Sequence, residues 1–482
     1  MHPIKVWLLA ALAICLPIML ITGGKAEITV NTSYKKAGEN NPLYTQRFGA
    51  DPGAMDFGGR VYVFMTDDII EYDAAGKVRE NTYGQIRCIN LISSDDLVNW
   101  TDHGRIHVAG ADGIARWAQN SWAPCAAHKV IDGKEKFFLY FCNGGNGIGV
   151  LTADSPTGPW RDELGHALVS RQTPNCANVV WLFDPAVMVD DDGTGYLAFG
   201  GGVPEGKQAS PQTGRIVRLG ADMLSLDGDP VTVDAPFMFE DSGLNRIDGQ
   251  YIYSYCSNWQ TDGNLYRLTS GAIQYMTADD PLGPYTYAGE LFPNQGRFFG
   301  LYGNNHHSIV SLDGTLCFFY HSRPVEKAMG ITGNYRSPQA DRIVRQPNGL
   351  LRVTGTMRGL EQLKPFDPYR EVSACTMSMQ AGIDVEDGAV RDIDTGDWLR
   401  VSGVSFGETG AKHLFLKVHT DDHLVIRVYL DRIGDEPAAV AEFVPDAEEA
   451  RVNAAWTGTH DLYFVFEGGG AFVSWQAFEN SK

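Results

Sequence analysis

Asp51, Asp184, Glu240 and His306 each open a stretch of the same design. The stretches read "ADPGAMDFGGRVYVFMT" from Ala50, "WAPCAAHKVIDGKEKFFLYF" from Trp122, "FDPAVMVDDDGTGYLAFGG" from Phe183, "FEDSGLNRIDGQYIYSYC" from Phe239 and "NHHSIVSLDGTLCFFYH" from Asn305. Taken singly, an aspartate before proline caps a turn and Glu240 before Asp241-Ser242 is a solvated corner. Recurrence changes that reading, because nothing in the repeat demands an acid at its corner and the second copy manages with Ala123. Two carboxyl groups around a neutral ligand suit glycoside hydrolysis, one protonating the leaving oxygen and the other activating water or attacking. A third acid beside them raises the proton donor's pKa by like-charge repulsion.

The elements that must bring these groups together follow from the repeat. Each copy runs from a polar or Pro-bearing corner through a short strand, turns at a Gly that is often Asp-Gly, and returns as an aromatic-rich strand, which is a β-hairpin. The corners Asp51, Ala123, Asp184, Glu240 and His306 are separated by 72, 61, 56 and 66 residues. Four strands fit such a period, so the spacing predicts five blades of a β-propeller over roughly residues 40–365. The runs "SSDDLVNWTDHG", "ADSPTGPW" and "TADDPLGPY" mark outer edges where the chain passes to the next blade. The innermost strand of a propeller blade starts near the axis, so the five corners converge on one funnel, with Trp122 as a wall. Composition agrees with an all-β class: 54 glycines and 11% aromatic residues accompany few amphipathic helical periods.

The 482-residue chain carries a net charge of −20, which disfavours nucleic acid and anionic membrane surfaces as partners. Its first residues, MHPIKVWLLAALAICLPIMLITGGKAE, place a lysine before an apolar run and then small residues, the layout of a secretory signal over 1–26. The competing reading is an uncut anchor; export predicts a secreted, cell-surface or periplasmic protein without stable membrane association. Of eight cysteines, Cys15 leaves with the signal, and the other seven sit mostly in apolar strand-like runs as buried small hydrophobes, with one bridge left open. The acidic turn "VDDDGTGY" at 189–196 reads as Asp-Gly hairpin chemistry without metal.

The ordered set "ADP", "WAP", "FDP", "FE" and "NHHS" resembles glycoside hydrolase family 43, five-bladed propeller enzymes that include arabinofuranosidases, xylosidases and arabinanases. The resemblance implies Asp51 as general base, Asp184 as the modulator that orients the donor, and Glu240 as general acid. It also implies inversion at the anomeric centre, with carboxyls about 6.5–9.5 Å apart. His306 matches an axial histidine that holds water or calcium, the ion being largely water-coordinated, and no organic cofactor is implied. His307 reads as a core histidine. Arg336 in "GNYRSPQADRIV" fits an arginine that reaches the sugar hydroxyls and the acids; Trp122, Phe48 and Trp181 are the other expected sugar contacts.

After "LEQLKPFDPYREV" the composition changes, which divides the chain into a 27–365 propeller and a 366–482 unit. The alternating runs "HLFLKVH", "LVIRVYL" and "HDLYFVFEG" predict a β-sandwich of jelly-roll type. The segment resembles carbohydrate-binding module family 6, with departures at Ala374-Cys375 and Ser474 that put its calcium and ligand cleft in doubt; Glu386 and Trp475 are the candidates for a surviving site. Together these resemblances imply an exported arabinofuranosidase acting on arabinoxylan or its oligosaccharides. A β-xylosidase is the runner-up, and a non-catalytic lectin is the reading of another class.

Overall fold

The computed structural model describes residues 29–479. The signal expected over 1–26 lies outside the described residues.

Five antiparallel sheets surround one axis, as the repeat predicts. Blade one holds β1 (Ala50–Phe57), β2 (Arg60–Thr66), β3 (Cys88–Ser94) and β4 (Trp100–His107); blade two holds β5 (Trp122–Ile131), β6 (Lys134–Cys142) and β7 (Ile148–Ala153). Blade three comprises β8 (Ala186–Val189), β9 (Gly195–Phe199), β10 (Gly214–Arg218) and β11 (Val231–Val233). Blade four comprises β12 (Met238–Ile247), β13 (Gln250–Ser257), β14 (Ile273–Ala278) and β15 (Thr286–Phe292). Blade five is β16 (His307–Leu312), β17 (Thr315–Ser322) and β18 (Ser337–Arg342). Blades two and five therefore have three strands where four were expected; in blade two a bridge between Thr152 and Arg161 supplies the outer edge.

The hairpin turns lie where the sequence places them, with Asp132, Asp248 and Asp313 at positive φ before glycines 133, 249 and 314. Inner strands β1, β5, β8, β12 and β16 pack side by side around the axis, and apolar side chains of adjacent blades interleave behind them. Gly53 permits a close approach of neighbouring blades: a Cβ there would stand 2.0 Å from the Pro124 carbonyl oxygen of the next inner strand.

The C-terminal unit is a separate β-domain in which Trp398–His419 and Glu449–Gly468 pair along most of their length. Four register shifts bend this pair, so the nine-stranded assembly wraps around an apolar core. The two units interlock: Thr376–Met377 adds a strand to β4 of blade one, and buried Lys35 donates to the carbonyls of Asn40 and Ser378. Trp475, expected at a surviving ligand cleft, is instead 1% exposed and packed between Phe366 and Phe464. The alternation that marks a strand places it on the inner face. Glu386 is exposed, and Ser474 donates its hydroxyl to Glu371. All seven cysteines among the described residues are free, and all but Cys125 are buried.

Candidate active site

The funnel is a cavity of about 370 Å³ lined by Asp51, Asp184, Glu240, His306, Arg336 and a set of aromatic side chains. Strand entry explains how they meet. At three of the five corners the inner strand carries an irregularity opposite its partner, between Ala50 and Gly53 in β1, Trp122 and Cys125 in β5, and Glu240 and Gly243 in β12. The residue at the bend takes a left-handed conformation: Asp51 at φ 49°, Ala123 at 40°, Asp184 at 50° and Asp241 at 64°. Each non-glycine residue held there costs on the order of 1–2 kcal/mol, so strain gathers at the funnel.

A closed circuit of hydrogen bonds holds these bends. The backbone N–H of Asp51 donates to His321 Nδ1 at 3.0 Å, that of Ala123 to Thr66 Oγ1 at 2.8 Å, and that of Asp184 to Cys142 Sγ at 2.9 Å. The circuit continues with Asp241 N–H to Asp184 Oδ2 at 2.8 Å and His307 N–H to Asp241 Oδ1 at 3.2 Å. The equivalent corner residues are thus Asp51, Ala123, Asp184, Asp241 and His307. Glu240 and His306, expected at the corners, each stand one place earlier, level with Trp122 and Phe183; the adjacent pairs Glu240-Asp241 and His306-His307 conceal the offset in sequence. Both side chains still line the funnel, whereas Asp241 and His307 lie behind its wall.

The carboxyls are held in opposite states. Burial alone pushes Asp51 up, but the Arg336 guanidinium, aided by the His321 and His306 rings, holds it well below the ordinary carboxylate range. Arg336 Nη1 donates to Asp51 Oδ1 at 2.8 Å and Thr66 Oγ1 donates to Asp51 Oδ2 at 2.7 Å. Glu240 is pushed up to about 8, first by burial and then by the charges of Asp241 and Asp51. Its Oε1 is occluded and has no hydrogen-bond partner among the described residues. Burial, with Glu240 and Asp51 adding repulsion, raises Asp184 well above its usual value. The His306 ring, 3.7 Å from Asp51 and 3.9 Å from Asp184, is pushed down by burial. An ionised carboxylate therefore faces Glu240, whose proton is held to about 8, and Asp184, which is shifted in the same direction.

Arg336 is fixed by Asp68, which accepts from its Nε and Nη2 at 2.8 Å each and from its backbone N–H at 3.0 Å. Asp68 and Tyr83 are functional residues that the sequence reading missed. Both lie in the 67–87 connection between β2 and β3, and a hairpin loop of that length is itself a functional signal. The Tyr83 ring carries Arg336 at 5.1 Å and meets Trp122 edge-on at 6.3 Å, while the Trp122 indole N–H donates to the Tyr83 carbonyl. Trp181 completes the wall, packed 5.2 Å from both Phe183 and Phe239. Phe48, expected among the sugar contacts, lies outside the funnel: it is buried against Tyr335 at 5.4 Å and borders a different cleft. Among the described residues no cluster of three or more His, Cys, Asp or Glu side chains has metal-holding geometry.

A five-bladed propeller whose axis sets an arginine-paired carboxylate opposite a carboxyl biased toward its protonated form, walled by indole and phenol rings, defines an acid–base glycoside hydrolase. The chain belongs to the glycosyl hydrolases family 43, whose profile matches residues 40–351. It is 44% identical over 467 residues to an arabinoxylan arabinofuranohydrolase of Paenibacillus polymyxa, covering 91% of this chain and 73% of that one. It is 42% identical to the arabinoxylan arabinofuranohydrolase of Bacillus subtilis, covering 98% of each. The crystal structure of a Bacillus subtilis family 43 arabinoxylan arabinofuranohydrolase in complex with cellotetraose superimposes with a TM-score of 0.90 at 41% identity, over 93% of this chain and 99% of that one.

Proposed function

We propose that this glycosidase is exported and releases terminal α-L-arabinofuranosyl groups from arabinoxylan or its oligosaccharides, inverting the anomeric centre. The observation that carries the reading is the opposite surroundings of two carboxyls across one funnel, Asp51 held by Arg336 and Thr66 and Glu240 with its Oε1 unpartnered among the described residues. The likeness to two arabinoxylan arabinofuranohydrolases over most of the chain supports the choice of sugar.

In the proposed reaction Asp51 takes a proton from water as the water oxygen bonds to the anomeric carbon. The glycosidic C–O bond breaks, its electron pair passes to the leaving oxygen, and that oxygen takes the proton of Glu240. Asp184 is tied to the strand of the acid through the Asp241 N–H, and burial with its carboxyl neighbours biases it toward the neutral form. Arg336 keeps the base ionised and, with Trp122, Trp181 and Tyr83, borders the sugar. A lectin gains nothing from setting repelling carboxyls against each other in this way.

A calcium ion on the axis, which forms part of this reading, would take one ring nitrogen from His306 and draw its other ligands from water. The nearest carboxylates are already engaged, Asp51 by Arg336 and Thr66, Asp184 by the Asp241 amide and Asp241 by His307. No step of the reaction is routed through that ion.

Side-by-side hydrolysis of 4-nitrophenyl α-L-arabinofuranoside and β-D-xylopyranoside tests the substrate, and proton NMR of the first-formed sugar tests the stereochemistry. Arabinose released faster, and first as the β anomer, is the expected result. Faster xylose release would replace the reading with a β-xylosidase, and first release of the α anomer would overturn inversion.

A further inference from the structure

We propose that Asp241, gripped by His307, is a positioning residue that sets the proton donor Glu240 and its neighbour Asp184 for leaving-group protonation. The inference rests on the acid–base reading of the funnel and adds to it a carboxylate that touches no substrate. Asp241 is fully buried and does not line the cavity.

Its bonds join three blades. The backbone N–H reaches Asp184 Oδ2 of blade three, while Oδ1 accepts from the His307 N–H of blade five and stands 3.3 Å from His306 Nε2. Oδ2 lies 2.5 Å from His307 Nδ1. A carboxylate only accepts, so His307 Nδ1 carries the proton between them, and Nε2 stands 2.7 Å from the Ser254 hydroxyl. The ring is also stacked on Phe318 at 5.2 Å. Space for this chain exists because residue 243 is glycine: a Cβ there would lie 2.3 Å from Ser254 Oγ and 3.0 Å from His307 Nε2. Ser254, His307 and Asp241 thus form a rigid strut whose far end is the left-handed bend at 241.

Glu240 depends on that bend. Its Oε1 has no hydrogen-bond partner among the described residues and the carboxyl is met by the Asn305 N–H, so the backbone that carries it supplies most of its aim. Around it, Asp241 and Asp51 favour its protonated form after burial does, while Arg336 and the Asn305 N–H oppose them. Removing the Asp241 charge or its grip therefore weakens the donor in both place and protonation.

The test compares full-length wild type, Asp241→Asn and His307→Phe on two substrates: an arabinoxylan oligosaccharide, whose sugar alcohol leaves only with a proton, and 2,4-dinitrophenyl α-L-arabinofuranoside, whose phenolate leaves without one. If Asp241 acts through the donor, kcat on the oligosaccharide falls about 30- to 100-fold, within the range general acid catalysis supplies. On the dinitrophenyl substrate it falls less than about threefold, because that step bypasses the acid. Equal losses on both substrates, or no loss on either, overturn the proposal. His307→Phe, which keeps a ring against Phe318 and removes the donor to Asp241, gives the same readout if Asp241→Asn does not fold. Failure of both variants to fold would make Asp241 purely structural and overturn the proposal as well. Wild-type turnover tests the underlying reading of the site separately from these ratios.

Discussion

Asp51 and Glu240 share one funnel, and both are withdrawn from bulk water, yet their surroundings are opposites. The blade-one side gives its carboxylate two donors, Arg336 and Thr66, with the His306 ring 3.7 Å away. The blade-four side gives its carboxyl one backbone N–H from Asn305 and two negative neighbours, and leaves Oε1 bare. Burial acts on both in the same direction, toward the neutral acid, and only the donors reverse it on one side. The difference teaches that this scaffold assigns base and acid by what is placed behind each carboxyl, together with the one-residue offset that sets Glu240 just before its corner while Asp51 sits on its own.

The largest effects should come from removing either carboxyl. Asp51→Asn and Glu240→Gln are each expected to lower kcat on an arabinoxylan oligosaccharide by about 10²- to 10⁴-fold. Steady-state kinetics on the dinitrophenyl arabinofuranoside should separate them: Glu240→Gln recovers much of its rate there, while Asp51→Asn does not because water still needs a base. Equal recovery in both variants would contradict the two-sided assignment.

Next comes the support of the base. Asp68→Asn leaves the buried Arg336 guanidinium with half its carboxylate partners, and breaking a buried pair in this way costs about 3–5 kcal/mol. Chemical denaturation should show that loss. An unchanged midpoint would mean that Asp51 alone suffices to hold Arg336.

The pH dependence separates the two sides without removing a side chain. Activity needs Glu240 protonated, so the rate should decline as pH passes about 8, whereas the limb belonging to Asp51 lies far into acid. Stability carries the same contrast. Glu240 binds its proton more tightly folded than unfolded, so its contribution is fully present below about 4.5 and is lost as pH rises toward about 8. Asp51 behaves in the opposite sense, contributing above its ordinary carboxylate value and losing that contribution as pH falls. Thermal melts of Glu240→Gln should therefore match wild type near pH 4 and exceed it near pH 9. A variant that is less stable than wild type at pH 9 would refute the raised value.

The five blades were legible because Asp-Gly turns and aromatic return strands repeat at intervals set by blade size, and that pattern survives changes at the corners. The offset at Glu240 and His306 was not legible. A left-handed bend inserts a residue without altering composition, and acid follows acid and histidine follows histidine at the two places where the count matters. Asp68 and Tyr83 escaped for a different reason: they belong to a loop outside the repeat, and only the fold shows that it turns back over Arg336. Phe48 and Trp475 failed in the other direction, since an aromatic residue near a motif or on a strand is as well suited to packing as to sugar. Arg336 came from family resemblance, and nothing in its local sequence distinguishes it from a surface-loop arginine.

The finest test of the two-sided funnel concerns Tyr83, which touches the base only through Arg336. Its ring lies 5.1 Å under the guanidinium and braces Trp122, so it contributes a cation–π contact of about 0.5–2 kcal/mol and a share of the wall. Tyr83→Phe keeps the ring and should change kcat/KM on the aryl arabinofuranoside less than about threefold, as such a contact resides in the π face. Tyr83→Ala removes the face and exposes Arg336 to water, which weakens its hold on Asp51. The acid limb of the rate should then move upward while the limb near pH 8 stays in place, because Glu240 answers chiefly to burial and to Asp241. If both limbs moved together, the two carboxyls would share one environment and the contrast between the sides would be lost.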